Sequence, residues 1–221
     1  MKDDLMNDNH FKYFLILDKD LKSTLRYVEL DKRNYKTFSL EYVRLILSIC
    51  AEVEVICKKI SSNINPDVDY SGYDLPQMAD IILQKYPKIT ELEISVPLIS
   101  ESILPFESWE KNHKGADGSD QRNMPSWWSD YNHIKHARDK NYPRANLENA
   151  LFSLSGLFGV LLYWYRIKLD GNDAIGIPES PSILYFEHGG ESKPVGFATG
   201  KIVLPDFPAS SKKSAGGYQL S

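Results

Sequence analysis

The chain has 221 residues, of which 42% are hydrophobic, and a formal net charge of −4 at pH 7. This length predicts one domain with or without an appendage, and the hydrophobic content is sufficient for a buried core. The acidic balance excludes a broad basic surface of the kind that binds duplex nucleic acid, but it is compatible with a small local RNA site.

Two long helices are predicted first. Over residues 11–28, apolar side chains recur every three to four positions, which is the period of one buried helix face. The second helix is predicted from about Leu40 to Ile60, with Ser39 as its N-cap and Glu41 in its first turn. Both helices therefore contribute one apolar face to a common core.

The cysteines and the N-terminus predict a cytoplasmic protein. Cys50 and Cys57 lie about 10 Å apart on the second helix, too far for a disulfide, and are expected to be reduced core residues. Such usage is typical of a reducing compartment, and the polar N-terminus has no secretory pattern. The most apolar run, Leu151 to Tyr165, is predicted to fall short of a membrane span. We expect no membrane association.

Residues 66–126 interrupt the helical pattern and predict a small α/β insertion. A short helix is expected over residues 76–86, and a strand over residues 89–96, where apolar and polar residues alternate. Residues 105–109 are interpreted as a continuation of a small hairpin. Residues 113–122 are polar and contain glycine, which predicts a mobile loop.

Two further helices complete a helical domain predicted over residues 1–168. The third begins near Ser126 and ends around Asp139. Pro143 is placed in the first turn of the fourth, which continues to about Tyr165 with a wide apolar face. The predicted fold class is therefore mainly α, a helical bundle with the α/β insertion.

Beyond residue 168 the helical pattern stops. Residues 183–187 and 200–204 are strand-like and predict a C-terminal β-hairpin appendage over residues 169–208. Residues 209–221 are rich in Ser, Lys and Gly, which predicts a disordered tail.

The third predicted helix carries the candidate chemical residues. Asn132 and His136 are four residues apart, so a helix places both on one face. An imidazole can act as general acid or base near neutral pH, and Asn132 can orient it or hold a phosphate oxygen. Lys135 or Arg138 can stabilise negative charge on a phosphoryl group. This set suits metal-free RNA cleavage by the adjacent 2′-hydroxyl. The structural alternative is that Asn132 and His136 are packed, hydrogen-bonded residues.

The helical layout and the motif Tyr131-Asn-x-x-Lys-His136 resemble the HEPN superfamily (higher eukaryotes and prokaryotes nucleotide-binding domains), in particular HEPN-like proteins of bacterial defence and stress loci. The resemblance covers residues 11–168. It implies an HEPN-like bundle and a homodimer in which two motifs form one cleft, with the third and fourth helices at the interface. Ribonucleolytic members carry an arginine, then four to six residues, then a histidine. His136 matches the histidine, Asn132 the polar residue that often follows the arginine, and Tyr131 the arginine itself.

The resemblance leaves two functions open, because Tyr131 carries no positive charge at pH 7 and does not replace a bidentate guanidinium. One is an RNA-binding protein or metal-independent endoribonuclease of a bacterial defence or toxin–antitoxin setting, with Tyr131, Asn132 and His136 as catalytic residues. The other is a catalytically inactive module that binds a protein partner or a nucleotide. The resemblance also implies an acidic or polar residue of the second helix in the cleft, with Glu54 a better candidate than Glu52. The alternative for either is a solvated or salt-bridged glutamate. No cofactor and no metal are expected.

Overall fold

Most of the described chain is α-helical. The computed structural model describes residues 9–110, 113–114, 120–121, 124–168, 181–184 and 204–207. The α-helices within these residues are α1 (Asn9–Thr24), α2 (Leu40–Ile64), α3 (Leu75–Lys85), α4 (Ser126–Asn141) and α5 (Leu147–Lys168).

Helix α5 is the centre of the bundle. It packs against α1, α2 and α4, while α2 also contacts α3. Phe14 of α1 stacks on Phe158 of α5, with the ring centroids 5.1 Å apart. Since α5 is buried on nearly all sides, its side chains are apolar around most of its circumference rather than along one stripe. The mainly helical class predicted from the sequence is confirmed.

The length of α5 corrects one expectation. The helix has 22 residues, and its most apolar stretch has a mean hydropathy of 1.4. This length and hydropathy are sufficient for a membrane span, so the predicted shortfall was wrong by length and composition. Inside the bundle, however, 78% of that stretch is buried. A buried core helix can have the same length and hydropathy, so α5 is only a weak indication of a membrane span.

Polar side chains cap the first turns of α2 and α5. The sequence predicted the start of α2 correctly and the start of α5 incorrectly. Helix α2 begins as predicted, because the Ser39 hydroxyl accepts a hydrogen bond from the Tyr42 amide at 3.1 Å. Helix α5 does not begin at Pro143, which lies in a separate 3-10 turn over Tyr142–Arg144. Asn146 caps α5 instead, since its side-chain oxygen accepts from the Asn149 amide at 3.0 Å.

The insertion contains less strand than predicted. Helix α3 is confirmed within one residue at each end, but Pro87–Glu91 forms a 3-10 helix rather than the start of a strand. Pro87 fixes its own backbone near helical values and lacks an amide donor for a ladder, which favours this turn. The strand is limited to β1 (Ile94–Val96).

The hairpin partner of β1 is also different from the prediction. Strand β2 (Glu101–Ile103) pairs with β1 in antiparallel register, with Ile94 opposite Ile103. Ser100, at φ 54°, closes the turn in the left-handed region. Residues 105–109 are therefore not a strand. They turn back and place Trp109 in the core.

The predicted loop 113–122 is partly paired. Strands β3 (His113–Lys114) and β4 (Asp120–Gln121) form a short antiparallel ladder. The residues between them, and Arg122, lie outside the described residues.

Two C-terminal segments pack on the bundle. The buried carboxylate of Asp18 in α1 accepts hydrogen bonds from the Ser182 amide at 2.6 Å and the Ile183 amide at 3.1 Å. Ile183 and Leu184 are buried but form no strand, contrary to the predicted hairpin. Leu204, from the second predicted strand, forms an isolated bridge with Phe207. The rest of the predicted hairpin and the tail 209–221 lie outside the described residues.

Candidate functional site

Helix α4 carries the candidate residues on its first, continuous segment. The helix is interrupted at Ala137, where φ is −150° and ψ is 57°. The side-chain amide of Asn141 donates to the Ala137 carbonyl at 2.9 Å and to the His133 carbonyl at 3.3 Å, which satisfies carbonyls left open at the break. Asn132 and His136 therefore lie one turn apart on the same segment, and His136 is its last helical residue.

The exposure of these side chains differs. His136 and Lys135 are exposed, and Asn132 is partly buried. Within the described part of the chain, no hydrogen bond joins Asn132 to His136, so Asn132 does not orient the imidazole in this structure. The exposure of His136 argues against the alternative of a packed core histidine. Arg138 is also exposed but follows the break, so it does not share the helical register of His136.

Tyr131 is a packing residue. Its side chain is only 4% exposed, and its ring centroid lies 4.9 Å from that of Trp128. The ammonium of Lys135 lies 5.5 Å from the tyrosine ring centroid, within cation–π range. Burial raises the pKa of Tyr131 above its ordinary value, against the opposing effect of the Lys135 charge, so the hydroxyl is protonated at neutral pH. This burial favours a role in packing over contact with a substrate.

The two candidate cleft glutamates of α2, Glu54 and Glu52, are both paired. Glu54 accepts a hydrogen bond from Lys58, one turn later, at 2.8 Å, and its charge contributes to the raised pKa of Tyr131. It therefore lies near the candidate set but as a salt-bridged residue. Glu52, the weaker candidate from the sequence, is held by His10 of α1, with the Glu52 carboxylate 2.5 Å from Nδ1.

Sequence reasoning missed a polar network where α4 meets α5. Asp130 forms an ion pair with Arg144 and accepts a hydrogen bond from the Asn149 side-chain amide at 2.8 Å. Arg144 also donates to the Asn141 side-chain oxygen at 3.1 Å. The network thus links a half-exposed guanidinium to Asn141, which bonds the carbonyl of Ala137 at the break.

The cap next to this network has a signal in the sequence, but the network itself has none. An asparagine directly before the last apolar helix is the ordinary N-cap pattern and identifies Asn146. Asp130 and Arg144 are 14 residues apart and on different elements, so no helical spacing relates them.

The first segment of α4 thus ends on an exposed imidazole, and cationic residues precede and follow it in the chain. Lys135 is the preceding residue on α4, and Arg144 is connected to the break through Asn141. An imidazole can transfer a proton near neutral pH, while ammonium and guanidinium groups can bind a phosphate. Among the residues that the structure describes, no three His, Cys, Asp or Glu side chains group as a candidate metal site.

Comparison of the chain with models of protein families, with curated proteins and with solved structures gives no match. The fold and the candidate site are therefore supported by the structure itself, and the resemblance to the HEPN superfamily stays a prediction.

Proposed function

We propose that the protein is a cytoplasmic HEPN-like RNA-binding protein that cleaves single-stranded RNA without a metal, with His136 as the general acid or base. The observation that carries the proposal is the exposed His136 at the end of a continuous helical segment, one turn after Asn132 and next to Lys135. An exposed imidazole beside a cation is what a proton transfer at a phosphodiester requires.

The proposed reaction uses a nucleophile that RNA itself provides. The 2′-hydroxyl oxygen attacks the neighbouring phosphorus while neutral His136 accepts the hydroxyl proton. The bond to the 5′-oxygen breaks, and that oxygen takes a proton from an acid. The products are a 2′,3′-cyclic phosphate and a 5′-hydroxyl. Lys135 and Arg144, with Arg138 as a further candidate, stabilise the charge on the phosphoryl oxygens.

Two imidazoles suit this reaction better than one, because a base and an acid are needed in the same step. In the proposed homodimer, α4 faces its counterpart, since α5 is almost entirely buried within its own bundle, and His136 of the second copy supplies the acid. The dimer is part of the proposal and is tested by mass measurement in solution.

The decisive experiment is cleavage of single-stranded RNA by the purified protein in the presence of a chelator. His136→Ala is expected to lower the rate at least about 100-fold, which is the usual contribution of a general acid or base. His133→Ala is the matched control, since His133 is an exposed histidine on the same helix whose ring bonds only the Ser129 carbonyl among the described residues. Cleavage that is unchanged in His136→Ala contradicts the assignment.

A second candidate is a catalytically inactive module that binds a protein partner or a nucleotide. The observation in its favour is the buried Tyr131 at the position where active HEPN proteins carry arginine. A folded dimer that binds but does not cleave RNA, or a monomer that does neither, would support it. Thermal stabilisation by a mononucleotide, abolished in His136→Ala, would identify the nucleotide-binding form.

A further inference from the structure

A second cleft lies away from α4, between the C-terminal half of α2, the loop that follows it and α5. Its volume is about 490 Å³, and its walls include Lys58, Lys59, Ser62, Asn63 and Trp164. None of its lining residues belongs to α4, so the cleft is separate from the Asn132–His136 face.

Among the described residues, the charges around this cleft leave one lysine without an anionic partner. Lys58 bonds Glu54 and the Ser71 carbonyl, so its charge is already paired. The Asp69 carboxylate accepts from the Ser71 amide at 2.9 Å and from its hydroxyl at 3.0 Å, and the backbone bond lowers the pKa of Asp69. Lys59 is partly buried and has no carboxylate partner in the described part of the chain. The cleft therefore offers a cation for an anionic group.

Trp164 gives the same cleft an aromatic surface. The ammonium groups of Lys59 and Lys168 lie 5.8 Å and 5.5 Å from its ring centroid, both within the limit of about 6 Å for a cation–π contact. A base that stacks on the ring would take the place of such a contact, and Lys59, which lines the cleft, would then pair with the phosphate. The indole N–H of Trp164 has no hydrogen-bond partner among the described residues.

We propose that this cleft binds one nucleotide unit, with its base against the Trp164 ring and its phosphate on Lys59. Ser62 and Asn63 line the same cleft and can donate hydrogen bonds to the phosphate or ribose. Stacking on an aromatic ring with a cation beside the backbone is the chemistry by which proteins hold unpaired nucleotides. The unit is either a free nucleoside monophosphate or one residue of single-stranded RNA. Its binding does not depend on His136 or on cleavage.

The position of Trp164 makes the proposal measurable in the intact protein. The chain has four tryptophans, and Trp109, Trp127 and Trp128 are each no more than 2% exposed. Since Trp164 is the partly exposed one, quenching of tryptophan fluorescence by a stacked base reports on this cleft. Adenosine 5′-monophosphate and a six-residue oligoadenylate are the probes, and free tryptophan amide corrects for absorption of the exciting light.

We expect saturable quenching, and binding that is about tenfold weaker by calorimetry in Lys59→Gln, since a charge-assisted hydrogen bond is lost. Trp164→Leu is expected to weaken binding by a similar factor and to abolish the quenching. Lys85→Gln is the matched control, because Lys85 is an exposed lysine outside the cleft. Its affinity is expected to equal that of the unmodified protein.

The outcomes separate the two ligand sources and the two proposals. Quenching by the monophosphate supports a free nucleotide, and quenching by the oligoadenylate alone supports RNA. No saturable quenching by either probe, or quenching that persists unchanged in Trp164→Leu, overturns the inference. RNA cleavage that depends on His136 without quenching would leave the proposed function intact and reject this cleft. Quenching without cleavage would support nucleotide binding in this cleft and reject the proposed cleavage activity.

Discussion

Replacing Gly156 with alanine tests how closely α4 approaches α5. A Cβ atom at this position would lie 2.6 Å from Cζ2 and 3.0 Å from Cη2 of Trp127 in α4. A Cβ atom essentially never lies as close as 2.6 Å to another side-chain carbon, so the indole would have to move. Trp127 has little room to do so, because it is buried and its ring nitrogen donates to the Pro105 carbonyl at 2.7 Å.

Two opposing effects set the magnitude. Alanine is favoured over glycine inside a helix by about 1 kcal/mol. Against this, overpacking a core costs about 1–3 kcal/mol, and loss of the buried indole hydrogen bond adds about 1–3 kcal/mol. We expect Gly156→Ala to lower the free energy of unfolding by about 1–5 kcal/mol, and the melting temperature by about 2–4 °C for each kcal/mol.

Chemical denaturation followed by circular dichroism measures this change, and Gly159→Ala provides the control. A Cβ at Gly159 would lie 2.8 Å from Cδ2 of Leu92, the end of a flexible side chain, and 3.0 Å from Cε2 of Phe106, whose ring has no hydrogen bond to lose when it shifts. Its cost is therefore expected to be smaller than that of Gly156→Ala. A Gly156→Ala variant as stable as the unmodified protein would refute the argument that Trp127 is fixed.

Three further predictions concern buried polar groups. Asp130→Ala removes an acceptor of the buried Asn149 amide and is expected to cost about 1–3 kcal/mol in urea denaturation; an unchanged midpoint would contradict this. Burial, and then the hydrogen bond to a carboxylate, raise the pKa of Tyr163 above 10.0. Because the folded state holds this proton more tightly, the contribution of Tyr163 to the free energy of unfolding is complete below pH 10 and decreases above it. Tyr163→Phe should therefore reduce the fall of the melting temperature at alkaline pH. Asp18→Ala should speed proteolysis at residues 181–184, and an equal cleavage rate would argue against anchoring by Asp18.

The helices of the bundle were largely predictable because the residues that define each helix are close together in the sequence. Apolar residues repeat at the helical period along α2, and Ser39 supplies the expected cap. The predicted element boundaries were wrong where a local sequence pattern is compatible with two structures. Pro143 is compatible with a first helical turn and with a 3-10 turn, and the cap formed by Asn146 decides between them. Residues 89–91 alternate as a strand would, but the preceding Pro87 starts a 3-10 helix.

The candidate site was predictable only where it is helical. The spacing of Asn132 and His136 follows from residue number on one continuous segment. The break at Ala137 depends on Asn141, and the charge of Arg144 is oriented by Asp130, both through contacts that no sequence period encodes.

The burial of Tyr131 shows what an arginine at this position, as in the HEPN motif that the sequence resembles, would have to do. Successive residues of a helix point about 100° apart, so Tyr131 faces the core while Asn132 is directed toward its rim. An arginine at residue 131 would bury a guanidinium against Trp128, at the cost of its solvation, unless Glu54 were freed from Lys58 to pair with it. A nuclease built on this backbone must therefore take its phosphate-binding cation from another position. Lys135 directly precedes His136 on α4, and Arg144 is bonded to Asn141, which caps the helix break that follows His136.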